Sequence, residues 1–90
     1  MQRWKFAFTP EAESDFKKLD RDIRERTYRK LEWFTENFEE AEPLPLTGLW
    51  QGFFKLRIGD WRVIYKTDSK KLLIIVYVID RRDKVYKRKS

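Results

Sequence analysis

The sequence predicts one α+β domain, an antiparallel sheet with a helical hairpin packed on one face, in the order β-α-α-β-β-β. Three observations carry this. The run Leu46–Tyr65 alternates apolar and basic residues about Gly59-Asp60, the pattern of a β-hairpin with a two-residue primed turn. Before it, apolar residues between Ala12 and Phe38 recur at spacings of three and four, the period of a helix. After it, Leu72–Ile79 is apolar throughout, as suits a strand covered on both faces and central in its sheet. Ninety residues suffice for one core without metal or disulfide, so residues 1–90 are expected to form a single domain.

The elements follow in order. Trp4, Phe6 and Phe8 alternate with smaller or charged residues and read as a first strand. Thr9-Pro10-Glu11 is a helix start: a threonine N-cap, proline at the first helical position and acid in the first turn. Ala12, Phe16 and Leu19 give that short helix one apolar stripe. Asp20 is the expected N-cap of a second helix with the stripe Ile23, Thr27, Leu31, Phe34 and Phe38. Glu36, Glu39, Glu40 and Glu42 sit where the helix dipole disfavours them, and Pro43 and Pro45 end the helix and open a loop. Trp33 lies roughly 120° from the centre of the stripe at about 3.6 residues per turn, which predicts exposure and a candidate partner surface.

With Gly59-Asp60 as the loop, the hairpin register is set. Ile58 pairs with Trp61, Arg57 with Arg62, Leu56 with Val63, Lys55 with Ile64 and Phe54 with Tyr65. One face then carries Phe54, Leu56, Ile58, Trp61, Val63 and Tyr65, which the helices should cover. The other carries Phe53, Lys55, Arg57, Arg62, Ile64 and Lys66 and should look outward. Two arginines directly opposite each other repel, which points to an anion as their partner. A second turn is expected at Asp68–Lys71. Beyond Ile79, the stretch Asp80–Ser90 holds six Lys/Arg and Tyr86; Arg81, Arg82 and Tyr86 are candidates to complete a site, against the bland expectation of a disordered basic end.

Composition limits the chemistry. Cysteine and histidine are absent, which removes thiol nucleophiles, cysteine or histidine zinc sites and the usual general base. No N-terminal signal or membrane-spanning run is visible, and a soluble cytoplasmic protein is expected. The net charge of +6 is unevenly spread: residues 1–42 hold nine Lys/Arg against eleven Asp/Glu, and residues 43–90 twelve against four. Basic charge concentrated on the sheet half points first to nucleic acid as a partner. On that face a lysine offers an ammonium group for proton transfer. Arginines match phosphate oxygens and the charge that builds on them. The set Lys55, Arg57 and Arg62 therefore suits attack by an RNA 2′-hydroxyl on its own phosphodiester, with Phe53 or Ile64 packing on a base. A solvated face that keeps the hairpin from edge-to-edge association is the plainer alternative.

The run L46-T-G-L-W-Q-G-F-F-K-L-R-I-G-D-W-R-V-I-Y65, the element order, the basic balance and the final Val85-Tyr86 resemble the RelE/ParE superfamily of toxin–antitoxin toxins. The RelE-like branch is favoured. That resemblance implies an endoribonuclease that cuts mRNA in the ribosomal A site, inhibits translation and is neutralised by an acidic antitoxin. Its partners would be the antitoxin, mRNA and ribosomal RNA, with no membrane, metal or small-molecule cofactor. On the matching positions, Lys55 would be the acid/base or charge-stabilising lysine, Arg62 the phosphate-stabilising arginine, Arg81 the second arginine and Tyr86 the C-terminal tyrosine. Arg57 would support them, with Phe53 and Arg82 as further RNA contacts. Two departures stand out. Phe53 occupies a position where cleaving relatives often carry lysine, and Arg81 and Arg82 compete for one role. A ParE-like gyrase inhibitor on the same scaffold and a non-catalytic RNA- or ribosome-binding module are the alternatives.

Overall fold

Thr9 joins the first strand to the first helix. In the computed structural model, which describes residues 3–88, its hydroxyl accepts the Ala12 N–H at 3.2 Å, a cap worth about 1 kcal/mol. Strand β1, Lys5–Phe8, precedes it and helix α1, Pro10–Lys18, follows. Helix α2, Arg21–Glu36, begins after Asp20, whose carboxylate makes no capping hydrogen bond. The helix buries Thr27, Leu31 and Phe34, the expected stripe. It stops at Glu36, and Phe38 falls in a separate 3-10 turn, Phe38–Glu40. The last turn of α2 has no basic residue to offset its dipole.

The remaining strands are β2, Leu44–Pro45; β3, Phe54–Ile58; β4, Trp61–Asp68; and β5, Leu73–Arg81. They form one sheet in the order β1-β5-β4-β3-β2. The β3–β4 register is the one read from the sequence, from Ile58↔Trp61 through Arg57↔Arg62 to Phe54↔Tyr65. Gly59 has φ 59°, and Asp60 is not among the residues of positive φ, the pattern of a type II′ turn.

Two features differ from expectation. The sheet is mixed rather than antiparallel, because β1 pairs parallel to β5, from Lys5↔Leu73 to Phe8↔Val76. A parallel neighbour needs a long crossover, and the helices and the hairpin together supply it. The loop after Pro43 also contains a strand, β2, paired antiparallel through Leu44↔Lys55 and Pro45↔Phe54. Two residues are too few to show a period, and a proline is tolerated there because the strand is at the edge.

Two apolar layers flank the sheet. On the helix side, Ala12, Leu19 and Leu31 pack with Ile58, Val63, Val76 and Ile79, and Phe34 packs with Tyr65 and Ile74. On the other side, Trp50, Ile64, Val78 and Val85 form a smaller cluster with Leu46, Phe53 and Tyr77 at its margin. A bulge helps build it. Ile64 pairs with Val78 but Tyr65 with Val76, so Tyr77 is an extra residue turned to this second face. The expectation of an open basic face is thus corrected. Its centre is covered by the 46–53 segment and by a C-terminal 3-10 turn, Val85–Lys87, and Ile64 is fully buried, out of reach of any base.

That C-terminal turn also corrects the picture of a disordered end. Val85 is completely buried. Arg88 closes the structure by donating to Glu11 at 2.6 Å, Asp15 at 3.0 Å and Asp80 at 3.2 Å. Partial burial works against its charge, and the hydrogen bonds to Asp15, Glu11 and Asp80 more than offset that, so the guanidinium is held charged above its ordinary range.

Candidate active site on the basic sheet face

Alternation along β3 and β4 places Lys55, Arg57 and Arg62 on the side of the sheet away from the helices. Lys55 is half-buried between edge strand β2 and Ile64, in the row Leu44–Lys55–Ile64–Val78. One row further on, roughly 7 Å away along the strand, lie Arg57, Arg62 and Asp80 from three adjacent strands. Asp80 gives the opposed arginines a carboxylate in their own row, but its oxygens are engaged elsewhere. One accepts the Arg81 N–H at 2.8 Å and the other accepts Arg88 at 3.2 Å. Arg62 turns back on the hairpin, donating through Nη1 to the Gly59 and Trp61 carbonyls, each at 2.8 Å. Two of its donors' acceptors are therefore backbone groups, and no carboxylate neutralises it among the described residues.

Tyr86 reaches this face from the C-terminal turn. The Lys55 Nζ lies 5.9 Å from the centre of its ring, and Tyr86 is 40 % exposed. The Tyr86 carbonyl accepts the Trp50 indole N–H at 3.4 Å, and buried Val85 anchors the residue before it. Lys55 and Tyr86 are thus positioned by different elements and meet at the surface.

The remaining candidates are placed differently. Phe53 is half-buried against Trp50 and Tyr77, with ring centroids 5.3 and 5.1 Å away, and Lys66 Nζ sits 4.4 Å over its ring. It supports the floor of the face more than it offers a free ring. Arg81 pairs across the sheet with Trp61 and stands 5.9 Å from that ring, so alternation assigns it to the helix side, away from Lys55 and Arg62. Its guanidinium lies 3.8 Å from Asp83. Arg82 follows the end of β5, donates its N–H to the Asp60 carbonyl at 2.8 Å and lies 3.9 Å from the Asp60 carboxylate. The structure brings together Lys55 and Tyr86 with Arg57 and Arg62 beside them; it does not bring Arg81 to them.

Three residues that the sequence did not single out shape the site: Trp50, Asp80 and Arg88. Asp80 was visible as the first charge after the apolar run, but the bulge at Tyr77 hides its register with Arg62. A larger groove of about 750 Å³, lined by Trp4, Phe6, Tyr28, Glu32, Glu36 and others, lies elsewhere, between β1 and α2. It carries Glu32, Glu36 and Glu39 together with Arg3 and Lys5, and none of Lys55, Arg57, Arg62 or Tyr86.

Two helices packed on one face of a five-stranded mixed sheet make the fold also seen in solved RelE toxins. The model of the ParE toxin family of type II toxin–antitoxin systems (parDE) matches residues 6–85, and the chain belongs to that family. Solved structures similar in fold include the RelBE2 toxin–antitoxin complex of Mycobacterium tuberculosis, with 22 % identity, 90 % of this chain and 100 % of that chain covered and a TM-score of 0.79. A doubly substituted RelE toxin of E. coli in the free state shares 21 % identity over 96 % of this chain and 93 % of that chain, with a TM-score of 0.76. The RelE–RelB complex of the archaeon Pyrococcus horikoshii shares 17 % identity over 91 % and 98 %, with a TM-score of 0.66. No curated protein matches the chain. Among the described residues, no helix is long and apolar enough to cross a membrane.

Proposed function

We propose that this toxin is a ribosome-dependent mRNA endonuclease acting in the cytoplasm, held inactive by a cognate antitoxin. The observation that carries the reading is the meeting of Lys55 and Tyr86, 5.9 Å from amine to ring centre, beside the Arg57–Arg62 pair. The reaction uses the substrate's own nucleophile. A 2′-hydroxyl attacks the adjacent phosphorus as its proton leaves, the bond to the 5′-oxygen breaks, and that oxygen takes up a proton. The products are a 2′,3′-cyclic phosphate and a 5′-hydroxyl, and the step has no formal need of a metal. Lys55 serves the acid/base role, Arg62 with Arg57 stabilises charge on the phosphoryl oxygens, and Tyr86 offers a ring for a base and a phenol for proton transfer. Arg82, held against the hairpin turn, fits the further basic contact better than Arg81, which shares the face of Trp61.

The antitoxin follows from the family and from relatives whose structures are toxin–antitoxin complexes. Primer extension on a defined mRNA with purified ribosomes and toxin is the test: cuts confined to the A-site codon support the reading, and an intact transcript contradicts it. A second reading, a gyrase-directed poison, is favoured by the family match itself, which is to ParE toxins. It predicts accumulated gyrase–DNA cleavage complexes with translation initially unaffected, and no need for Lys55 in chemistry.

A further inference from the structure

Lys66 stands on the same side of the sheet as Lys55. Along β4, Val63 and Tyr65 pack toward the helices, so alternation turns Arg62, Ile64 and Lys66 to the opposite face. Lys55 pairs with Ile64, which makes Lys66 its diagonal neighbour, roughly 7–8 Å away between backbones and within reach of a long side chain. Lys66 lies on the side of Lys55 away from the arginines. The face therefore presents Lys66, then Lys55, then Arg57 with Arg62, in successive rows along the hairpin.

The Lys66 ammonium is held in place without being neutralised. Its Nζ sits 4.4 Å over the Phe53 ring and 5.9 Å from the centre of the Tyr77 ring. Those two rings meet edge to face at 5.1 Å, and Trp50 packs on Phe53 at 5.3 Å, so the support is itself fixed. Cation–π attraction orients an ammonium but leaves its charge available to an anion. Lys66 makes no ion pair among the described residues. Asp68, the one acid of β4, spends Oδ1 on the Lys70 and Lys71 N–H groups, at 3.1 and 3.2 Å. A base cannot stack on Phe53 while the ammonium covers it. This end of the face offers an oriented positive charge rather than a stacking surface.

We infer that Lys66 binds the RNA phosphate next to the scissile one and holds the strand in line with Lys55; the inference rests on the nuclease reading above. With the scissile phosphate between Lys55 and the arginines, the backbone of an extended strand repeats at a distance comparable to the Lys55–Lys66 diagonal. The next phosphate then falls on Lys66. There the lysine acts as a point charge with three donors and takes no part in proton transfer. Phe53 becomes a positioning residue, because its ring fixes where that ammonium stands.

The test is single-turnover cleavage on programmed ribosomes over a range of toxin concentrations, with messages carrying a neutral methylphosphonate at one or the other phosphate flanking the scissile one. Lys66→Gln is expected to raise the half-saturating toxin concentration by about threefold to tenfold and to leave the maximal rate little changed. Lys66→Arg restores it, Phe53→Leu weakens the same step, and Lys17→Gln, an equal charge change on α1, has no effect. Neutralising one flanking phosphate costs wild type a similar factor and costs Lys66→Gln nothing further. Fluorescence anisotropy with a short single-stranded RNA, blocked by a 2′-deoxy nucleotide, reads the contact directly: Lys66→Gln lowers the salt slope by about 0.7. Circular dichroism checks that each variant is folded. Unchanged half-saturation in Lys66→Gln, or losses that add at both flanking phosphates, overturns the inference. A fall in maximal rate alone assigns Lys66 to the chemical step and overturns it too. The nuclease reading is scored separately. Cutting by wild type with an unchanged salt slope in Lys66→Gln removes only the Lys66 contact; a lowered slope without any cutting removes only the nuclease reading and leaves Lys66 a phosphate contact.

Discussion

Arg88 donates to Asp15 at 3.0 Å, and the same carboxylate oxygen accepts the Ile79 N–H at 3.1 Å. One acid of α1 thereby ties the end of β5 and the C-terminal turn to the body of the domain.

The first prediction concerns this clamp. Arg88→Ala leaves Glu11, Asp15 and Asp80 close together without their shared cation. Because Arg88 is partly exposed, solvent screening limits the effect to about 1–3 kcal/mol of stability. The larger consequence falls on the turn carrying Tyr86. Urea unfolding reads the stability change, and hydrogen exchange at the Lys84–Arg88 amides reads the loosening. Unchanged protection in that turn contradicts the clamp.

Thr27 supplies the second. It is completely buried in α2, and its hydroxyl has no hydrogen-bond partner among the described residues. A buried unpaired polar group costs about 1–3 kcal/mol. Thr27→Val keeps the branched shape and removes the hydroxyl, so it is expected to raise Tm, by about 4–8 °C for each kcal/mol recovered in a domain of this size. A Tm lower than wild type shows that the hydroxyl is satisfied.

Burial of Tyr65 sets a pH dependence. Its phenol is pushed up from 10.0 to about 12 because desolvation disfavours the phenolate. The folded state therefore holds the proton more tightly than the unfolded chain. This contribution is fully present below pH 10 and is lost as pH rises from about 10 to about 12, with a ceiling of about 2–3 kcal/mol. Denaturant unfolding across that range, compared with Tyr65→Phe, isolates it from the titration of the lysines. Equal alkaline slopes for both proteins contradict the assignment.

The hairpin was legible because two independent signals agreed: turn residues that demand a positive φ at Gly59 and an apolar face of period two. Helix α1 was legible from Thr9-Pro10, where cap chemistry is local. What escaped the sequence is non-local. The parallel docking of β1 on β5 depends on where a crossover returns, which no local pattern encodes. The bulge at Tyr77 shifts every residue after it by one, so Asp80 stands opposite Arg62 and Arg81 turns to the face of Trp61. The second apolar cluster was missed because Trp50 and Val85 lie in short segments with no period of their own, though both bury fully enough to cover Ile64. Lys55, Arg57, Arg62 and Tyr86 emerged as one surface; Phe53 emerged as part of its floor.

The most direct measurement is the single-turnover rate of mRNA cleavage on purified ribosomes by wild type, Lys55→Ala and Arg62→Ala, with a message carrying a 2′-deoxy nucleotide at the scissile position as control. The account predicts A-site cutting by wild type, no cutting of the 2′-deoxy message, and a fall of about 10²–10⁴-fold for Lys55→Ala, with a substantial loss for Arg62→Ala as well. Cutting of the 2′-deoxy message, or a rate for Lys55→Ala equal to wild type, contradicts it.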